Sequence, residues 1–208
     1  MIKGTPERIA ERREEIINAC EALYQTMSFK EISIKEIGNA VPFSRPTIYN
    51  YFETKEEIFL ALFEREYVRW NEDLESILND PDTLTPEVLA EKIALSLTKR
   101  KQLLKLLSMN NYDMETNSRK ERLVSFKKAY GRSMELVKEL LGKCCRDKSE
   151  EEIEDILYVF YPFMFGIYPY ASVTDKQKTA MKEAGIDYLY RSIYEITYNC
   201  LIRLLKKH

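Results

Sequence analysis

Three side chains able to form specific hydrogen bonds lie close together in the sequence, at Arg45, Thr47 and Asn50. Arginine can donate two hydrogen bonds to the edge of a guanine, and asparagine can form a paired donor and acceptor contact with an adenine. Lys35 and Lys55 carry positive charges on either side of this group, and lysines in such positions contact phosphate oxygens. The chemistry that these residues could perform is recognition of double-stranded DNA, provided that a helix presents them together.

Two short helices are predicted around these residues. Ser33 and Glu36 have the spacing of a capping box, which predicts a helix that ends before Pro42. Ser44 begins a second helix, in which Pro46 is tolerated because residues of the first turn need no intrahelical N–H donor. Two helices joined by a turn of about four residues are typical of a helix-turn-helix, whose second helix enters the major groove of DNA.

The second helix needs an apolar side, and we expect it to contain Ile48, Tyr49 and Phe52, with Tyr51 pointing elsewhere beside the polar residues. Tyr49 has two interpretations at this point. It positions the helix on phosphates, as we also expect of Tyr51, or it belongs to the core beside Phe52.

The run I-x-E-I-x-x-A-x-x-x-S-R-P-T-I-Y-N-Y-F-x-x-K-E resembles the N-terminal signature of the TetR (tetracycline-repressor-like) family. Members carry S-x-x-T-[IL]-Y-x-[HY]-F followed, after two further residues, by Lys. The matching positions are Ser44, Thr47, Ile48, Tyr49, Tyr51, Phe52 and Lys55. One departure is Pro42-Phe43, where the family has Gly-Val. Because proline holds φ near about −65° where glycine would permit positive values, we expect a slightly different turn.

The residues and the resemblance together imply two domains. Residues 1–54 are predicted to be the helix-turn-helix domain and residues 55–208 a ligand-binding and dimerisation domain, with helix 55–78 connecting the two. The residues expected to bind DNA are Lys35, Ser44, Arg45, Pro46, Thr47, Tyr49, Asn50, Tyr51 and Lys55.

No strand pattern is present, so the predicted fold is all-α, with about nine helices. Outside the helices already named, the predicted helices cover residues 6–28, 86–109 with a bend at 98–101, 118–141 ending at Gly142, 150–171 and 175–206. Residues 110–117 are predicted to be a loop.

The last two helices are apolar on more than one side. Residues 157–170, LYVFYPFMFGIYPY, are apolar or aromatic nearly all round, which indicates burial against a second subunit as well as against their own. In TetR-like proteins the last two helices form a four-helix dimer interface, and the resemblance implies the same homodimer here. The residues expected in that interface are Tyr168, Tyr190, Tyr194, Thr197 and Leu201.

Pro162, Gly166 and Pro169 interrupt the aromatic helix, and proline removes a helical hydrogen bond. One interpretation is that a kink opens a pocket for an apolar or aromatic ligand. The residues expected to line it are Trp70, Tyr112, Phe126, Tyr130, Met134, Tyr158, Tyr161 and Phe165. The alternative is an ordinary core crossed by a bent helix.

Composition and charge narrow the classes of function. Net charge is −2, and through Arg65 nine Lys and Arg face eleven Glu, so we expect only modest non-specific affinity for DNA. The one histidine is His208, and no nucleophile set, phosphate loop, metal-ligand spacing or cofactor motif is recognisable.

No apolar run is long enough to span a membrane, no secretory leader is apparent, and the four cysteines suit a reducing cytoplasm. Cys144-Cys145 has two interpretations, an oxidant sensor or ordinary residues at a helix end.

The sequence therefore predicts a sequence-specific DNA-binding transcriptional regulator, a repressor released by a small apolar or aromatic ligand, acting as a homodimer on a palindromic operator. The alternative is a ligand-independent architectural DNA-binding protein. An all-α enzyme is poorly supported because no catalytic set is present.

Overall fold

The computed structural model describes residues 5–81, 83–109 and 111–206, without the side chains of residues 111–113. The all-α prediction is confirmed: this part of the chain forms eleven helices and no strand, rather than about nine helices. The helices are α1 Pro6–Thr26, α2 Ile34–Asn39, α3 Arg45–Ile48, α4 Lys55–Leu78, α5 Pro86–Lys99, α6 Lys101–Leu107, α7 Asn111–Thr116, α8 Lys120–Cys144, α9 Glu150–Ala171, α10 Asp175–Glu183 and α11 Ile193–Leu205.

The described residues form two compact units. The first contains residues 5–65 and 111–128, and the second contains residues 66–109 and 129–206. Helices α4 and α8 each contribute residues to both units. The functional boundary after residue 54 stays a prediction.

Several helix starts follow from capping residues recognisable in the sequence. Thr85 caps α5, which has a proline at its start, and Ser149 with Glu152 forms the complete capping box of α9. Thr174 and Gln177 form the capping box of α10. Each satisfies backbone N–H groups that would otherwise lack partners in the first turn.

The prediction of one helix over residues 175–206 is wrong. Helix α10 ends at Glu183, and Gly185 follows with φ of 69°, a left-handed conformation that glycine adopts without steric cost. Ser192 and Glu195 then form a capping box that begins α11. The S-x-x-E spacing was visible in the sequence and could have located this start.

Three further boundaries differ from prediction. Residues predicted to be a loop at 110–117 include helix α7. Helix α8 continues through Gly142 to Cys144, because a glycine ends a helix only where it adopts a left-handed conformation, and only Gly185 does so among the described residues. The bend expected at 98–101 is a break between α5 and α6 at Arg100.

The core of the first unit forms where α1 packs against α4. The ring of Phe59 lies edge-on to Tyr24 at 5.2 Å and to Phe29 at 4.8 Å between centroids. Ile37 of α2 and Ile48 of α3 are fully buried, so burial of these apolar side chains holds the two short helices in place.

In the second unit, α11 packs against α5 and α9. Its inward side contains Ile193, Thr197, Leu201 and Leu205, which are all buried. No single helix within the described ranges is long and apolar enough to cross a membrane, although α9 and α10, bent by 82° at their junction, pass as a pair by length and composition alone.

Candidate nucleic-acid interface and effector core

The predicted DNA-contacting side chains surround one buried anchor. Helix α3 is a single turn, and Ile48 is the residue of that turn which is buried. Ser44, Arg45 and Asn50 are exposed, and Thr47 is half-buried. The hydroxyls of Ser44 and Thr47 lie 3.0 Å apart. The structure thus brings the polar side chains predicted from sequence to the outer side of one short helix, next to exposed Pro46.

The two tyrosines differ in exposure, and the prediction that Tyr51 points outward with the polar residues is wrong. Tyr49 is 52% exposed, whereas Tyr51 is only 4% exposed and belongs to the core. The reason is helical spacing, because Tyr51 and Phe52 lie three and four residues after Ile48 and share its inward side. The N–H groups of Tyr51 and Phe52 donate to the Ile48 carbonyl at 2.8 and 3.0 Å. Tyr49 therefore remains a candidate DNA contact, while the ring of Tyr51 does not.

A polar cleft of about 470 Å³ lies beside α3. It is lined by Lys30 and Lys35 from the region around the start of α2, by Arg45, and by Lys55 at the start of α4, with Glu56 as the one acidic side chain among its lining residues. Four cations around one opening favour binding of a phosphate group. Lys30 was not predicted from the sequence, because only the fold brings it to the same cleft as Arg45.

Lys55 already has partners within the protein. Its Nζ donates to the carbonyl oxygens of Phe29 at 2.8 Å and of Ile32 at 3.1 Å, and it lies 4.2 Å from the centroid of the Phe29 ring. Lys55 therefore ties the segment between α1 and α2 to the start of α4. Two of its three N–H donors serve the fold, which differs from the purely phosphate-binding role predicted.

Glu57, in the first turn of α4, is a buried carboxylate. Burial alone would raise the pKa of its carboxyl, but hydrogen bonds from Arg119 and from the backbone N–H groups of Glu53 and Arg119 outweigh it, so the pKa is lowered from 4.5. Thr54 donates its hydroxyl proton to the Asn117 carbonyl at 2.9 Å. Hydrogen bonds therefore hold residues 117–119 against the start of α4.

Part of the predicted ligand pocket forms an aromatic cluster in the second unit. The Tyr130 ring lies 5.6 Å from Tyr161 and 5.5 Å from Tyr67, both edge-on, and Trp70 lies 6.3 Å from Tyr161. Trp70 and Tyr161 are buried and Tyr130 is half-buried. The rings contact one another directly, and Met134 is half-buried.

The other predicted pocket residues lie elsewhere. Phe126 belongs to the first unit, where its ring is 4.8 Å from that of Phe63. Tyr158 is 76% exposed and Phe165 is 41% exposed, so both are wrong as core pocket residues. The apolar run 157–170 contains no polar residues that would show which side faces inward, and the packing decides it. The side chain of Tyr112 lies outside the described residues.

Polar groups inside the aromatic cluster were not predicted. Trp70 Nε1 donates to Ser96 Oγ at 3.1 Å, and the Tyr161 hydroxyl donates to Ser133 Oγ at 2.9 Å. The amide nitrogen of Asn71 donates to the Ala129 carbonyl at 3.0 Å. Its buried Oδ1 has no hydrogen-bond partner among the described residues. Serine and asparagine residues within otherwise apolar helical faces were the sequence signal that could have predicted buried hydrogen bonds here.

The predicted dimer residues separate into two groups. Thr197 and Leu201 are buried within their own unit, at 0% and 1% exposure, so their side chains have no surface to offer a partner. They follow buried Ile193 by four and eight residues and so share its inward side of α11. Tyr190 is exposed, and Tyr168 and Tyr194 are half-buried.

Across the described ranges, no group of three or more His, Cys, Asp or Glu side chains could hold a metal ion.

Two family models match this chain. Residues 64–195 match the family model described as the tetracyclin repressor-like C-terminal domain, and residues 16–62 match the model of bacterial regulatory proteins of the tetR family. Over 54 residues the chain is 35% identical to the HTH-type transcriptional regulator EthR of Mycolicibacterium smegmatis. That match covers 26% of this chain and 25% of EthR, so it spans about a quarter of either protein.

Solved structures share the fold over nearly the whole chain. The fatty acid degradation regulator FadR from Bacillus halodurans has a TM-score of 0.58 at 18% identity, covering 99% of this chain and 97% of that one. Thermus thermophilus FadR, a TetR-family repressor in complex with lauroyl-CoA, has a TM-score of 0.57 at 22% identity and 93% coverage of both chains. The two family models together account for most of the sequence, and the chain therefore belongs to the TetR family of bacterial transcriptional regulators.

Proposed function

We propose that this regulator is a dimeric repressor that binds a palindromic operator through α3 and is released by a small apolar or aromatic effector in the second unit. The observation that carries the proposal is the exposed group Ser44, Arg45, Tyr49 and Asn50 around buried Ile48, next to a cleft lined by four cations. The site is built for contact with a polyanion and has no catalytic set, in keeping with a family of regulators that are not enzymes.

The DNA contacts divide by chemistry. Arg45 and Asn50, with Thr47, contact base edges, because their side chains offer the paired donors and acceptors that distinguish bases. Lys30 and Lys35 contact phosphates and supply affinity that does not depend on sequence. Lys55 positions the helix-turn-helix and has one N–H left for a phosphate. Ser44, Pro46 and exposed Tyr49 complete the surface by packing against the sugar-phosphate backbone.

Dimerisation would let two short α3 helices read one DNA sequence together, which raises sequence specificity above that of a single helix. Two copies related by a two-fold axis can place their α3 helices about 34 Å apart, one DNA turn, on a palindrome. The dimer surface includes the outward side of α9, where Tyr158, Phe165 and Tyr170 are exposed. Large exposed apolar side chains on one surface are typical of protein interfaces.

The effector site centres on the aromatic cluster of the second unit. The cluster offers apolar rings, hydroxyls, and one buried acceptor without a partner, Asn71 Oδ1. A ligand with an apolar body and a single donor group would satisfy that oxygen. Because the Tyr161 ring contacts those of Trp70 and Tyr130, ligand entry requires at least one of these rings to rotate.

Effector binding can act on DNA affinity through α4. Residues 55–65 of this helix belong to the first unit and residues 66–78, which include Trp70 and Asn71, belong to the second. An effector that prefers one arrangement of α4 therefore shifts the population between states that bind DNA well and poorly.

The test of DNA recognition is selection of bound sequences from a random duplex pool at fixed salt concentration. We expect a palindrome with half-sites about one turn apart. Recovery of no motif, with binding that only fades as salt rises, would favour the architectural alternative. No binding at all would contradict a regulator of DNA.

The test of effector release uses the selected operator and a panel of apolar and aromatic compounds that includes lauroyl-CoA. We expect one class to lower operator affinity and to raise the melting temperature of the protein by linkage. Direct contact among the cluster rings also suits a ligand-independent protein, and a panel with no effect on operator affinity or melting temperature would favour that alternative.

We further propose a cytoplasmic location, where the operator is accessible.

A further inference from the structure

Arg12 and Arg13 are adjacent arginines of α1 that make different contacts in the first unit. Arg13 lies 3.7 Å from carboxylate oxygens of Glu14 and of Glu64, and its guanidinium lies 5.9 Å from the centroid of the Phe52 ring. Arg12, by contrast, has no hydrogen bond and no ion pair with any residue that the structure describes. Arg13 therefore serves the fold, whereas the N–H donors of Arg12 are available to another molecule.

The Arg12 guanidinium lies over the ring of Phe43, 5.8 Å from the ring centroid, which is within the range of a cation–π contact. Both residues are half-buried. In the described part of the chain no nitrogen of Arg12 belongs to the buried polar atoms without a partner, so these nitrogens face solvent. The ring thus holds the arginine side chain in place and leaves its donors accessible.

Phe43 lies directly before Ser44, the residue that caps α3. In a helix-turn-helix the N-terminal residues of the second helix contact base edges. A helix with its side chains is about 10–12 Å across, so it fills a major groove about 12 Å wide. A cation held beside the start of this helix, rather than on it, therefore meets the sugar-phosphate backbone that borders the groove.

The Arg12–Phe43 pair is not part of the cleft that four cations line beside α3, since neither residue is among the lining residues of that cleft. Phe43 is also one of the two positions at which this chain departs from the TetR-family pattern, which has valine there. A valine has no ring face on which a guanidinium could stack. The support for Arg12 therefore comes from a residue in which this chain differs from the family pattern.

We infer that Arg12 is a DNA-backbone contact of this regulator, stacked on Phe43 so that its guanidinium is already in position to bind a phosphate oxygen beside the start of α3. A guanidinium can stack on a ring through its face and still donate N–H groups from its edge to a phosphate. Holding the side chain in place before binding reduces the entropy that the contact costs. The inference rests on the proposed binding of DNA through α3 and adds a contact from α1.

The first test measures DNA affinity against salt concentration for the full-length wild type and for Arg12→Ala. Loss of one phosphate contact should reduce the slope of log affinity against log salt by about 0.9 per site, and should weaken binding about three- to tenfold on the selected operator and on unrelated duplexes alike. The melting temperature should change by less than about 2 °C, because Arg12 has no hydrogen bond or ion pair to lose among the described residues.

Lys128→Ala is the matched control for the loss of one charge, since Lys128 is an exposed cation on α8 of the same unit. It should leave the salt slope unchanged. A wild-type slope for Arg12→Ala, or an equal reduction for Lys128→Ala, would overturn the inference.

The second test concerns the ring. Phe43→Val should weaken operator binding about threefold in the wild-type background and should cause no further loss in the Arg12→Ala background, because the ring acts through the arginine. Phe43→Tyr, which restores a ring, should recover the affinity lost in Phe43→Val. Equal losses from Phe43→Val in the two backgrounds would show that Phe43 shapes only the turn, and would overturn its role in positioning Arg12.

The third test locates the contact with single neutral methylphosphonate groups in the backbone of the selected operator. One position in each half-site should weaken binding by the wild type but not by Arg12→Ala, and Lys35→Ala should remain sensitive at that position. If no such position exists, the inference is wrong while the proposed regulator stands. If the wild type binds no duplex at all, the proposed function fails and the inference fails with it.

Discussion

The Arg119 guanidinium holds both oxygens of the Glu57 carboxylate, with Nε donating to Oε1 at 2.7 Å and Nη2 donating to Oε2 at 2.7 Å. The same Nη2 and that of Arg122 reach the Tyr51 carbonyl, directly after α3, at 3.4 and 3.1 Å. Arg119, just before α8, and Arg122, in the first turn of α8, thus hold the residues after α3 in place, and Arg119 also links them to α4. Fork-to-fork pairing of this kind fixes geometry as well as adding energy.

Arg119→Ala is expected to lower the free energy of unfolding by about 2–4 kcal/mol, because it leaves a buried carboxylate without its counter-charge. Urea denaturation measures the loss. Lys120→Ala, which removes the exposed neighbouring charge, should cost under about 0.5 kcal/mol. Equal losses for the two variants would show that the pair contributes little.

Acid should weaken the protein through the same carboxylate. The pKa of Glu57 is lowered from 4.5 in the folded protein, so its contribution to stability is complete above that ordinary value and is lost as pH falls through the folded pKa. We expect Glu57→Gln to be less stable than wild type near neutral pH and to show a flatter decline below about pH 4.5. Denaturation midpoints from about pH 6 to about pH 3 test this, with Glu56→Gln as the control. Parallel curves for wild type and Glu57→Gln would contradict the assignment.

Arg45→Ala should weaken operator binding by about 1–3 kcal/mol and relax the preference at one base pair of each half-site. The measurement compares affinities for the selected operator and for variants substituted at each position. A loss of equal size on every sequence would make Arg45 a phosphate contact.

Lys35→Ala and Lys55→Ala should distinguish a residue that only binds a phosphate from one that also positions the helix-turn-helix. Exposed Lys35 contacts a phosphate, so its removal should weaken all sequences alike and reduce the salt slope by about one unit per site, without changing the melting temperature. Lys55→Ala should lower both affinity and melting temperature, since two main-chain carbonyls lose their donor. An unchanged melting temperature for Lys55→Ala would restore a purely phosphate-binding role.

The cysteines should resist oxidation in the folded protein. Burial raises the pKa of Cys144 to about 12 and that of Cys200 to about 11, so little thiolate is present at neutral pH. Labelling by an aromatic disulfide should be at least about tenfold slower in buffer than in urea. Rapid labelling of Cys144 in the native protein would revive the oxidant-sensor interpretation.

The sequence by itself determined the elements whose signals are local. Capping residues such as Ser149 and Thr174, and the motif around Ser44, depend on hydrogen bonds within a few residues, and so the all-α class, the helix-turn-helix and the family were predictable. Even the S-x-x-E spacing that begins α11 was present in the sequence.

Only the tertiary structure decided which side of each helix is buried. Tyr49 and Tyr51 are both tyrosines and lie two residues apart, but only Tyr51 shares the inward side of buried Ile48 and is itself buried. In α9 nearly every side chain is apolar, so periodicity could not show that Tyr161 points inward while Tyr158 points outward. The partners of Lys55 and Glu57 were equally hidden, since long-range contacts depend on how distant helices pack rather than on local spacing.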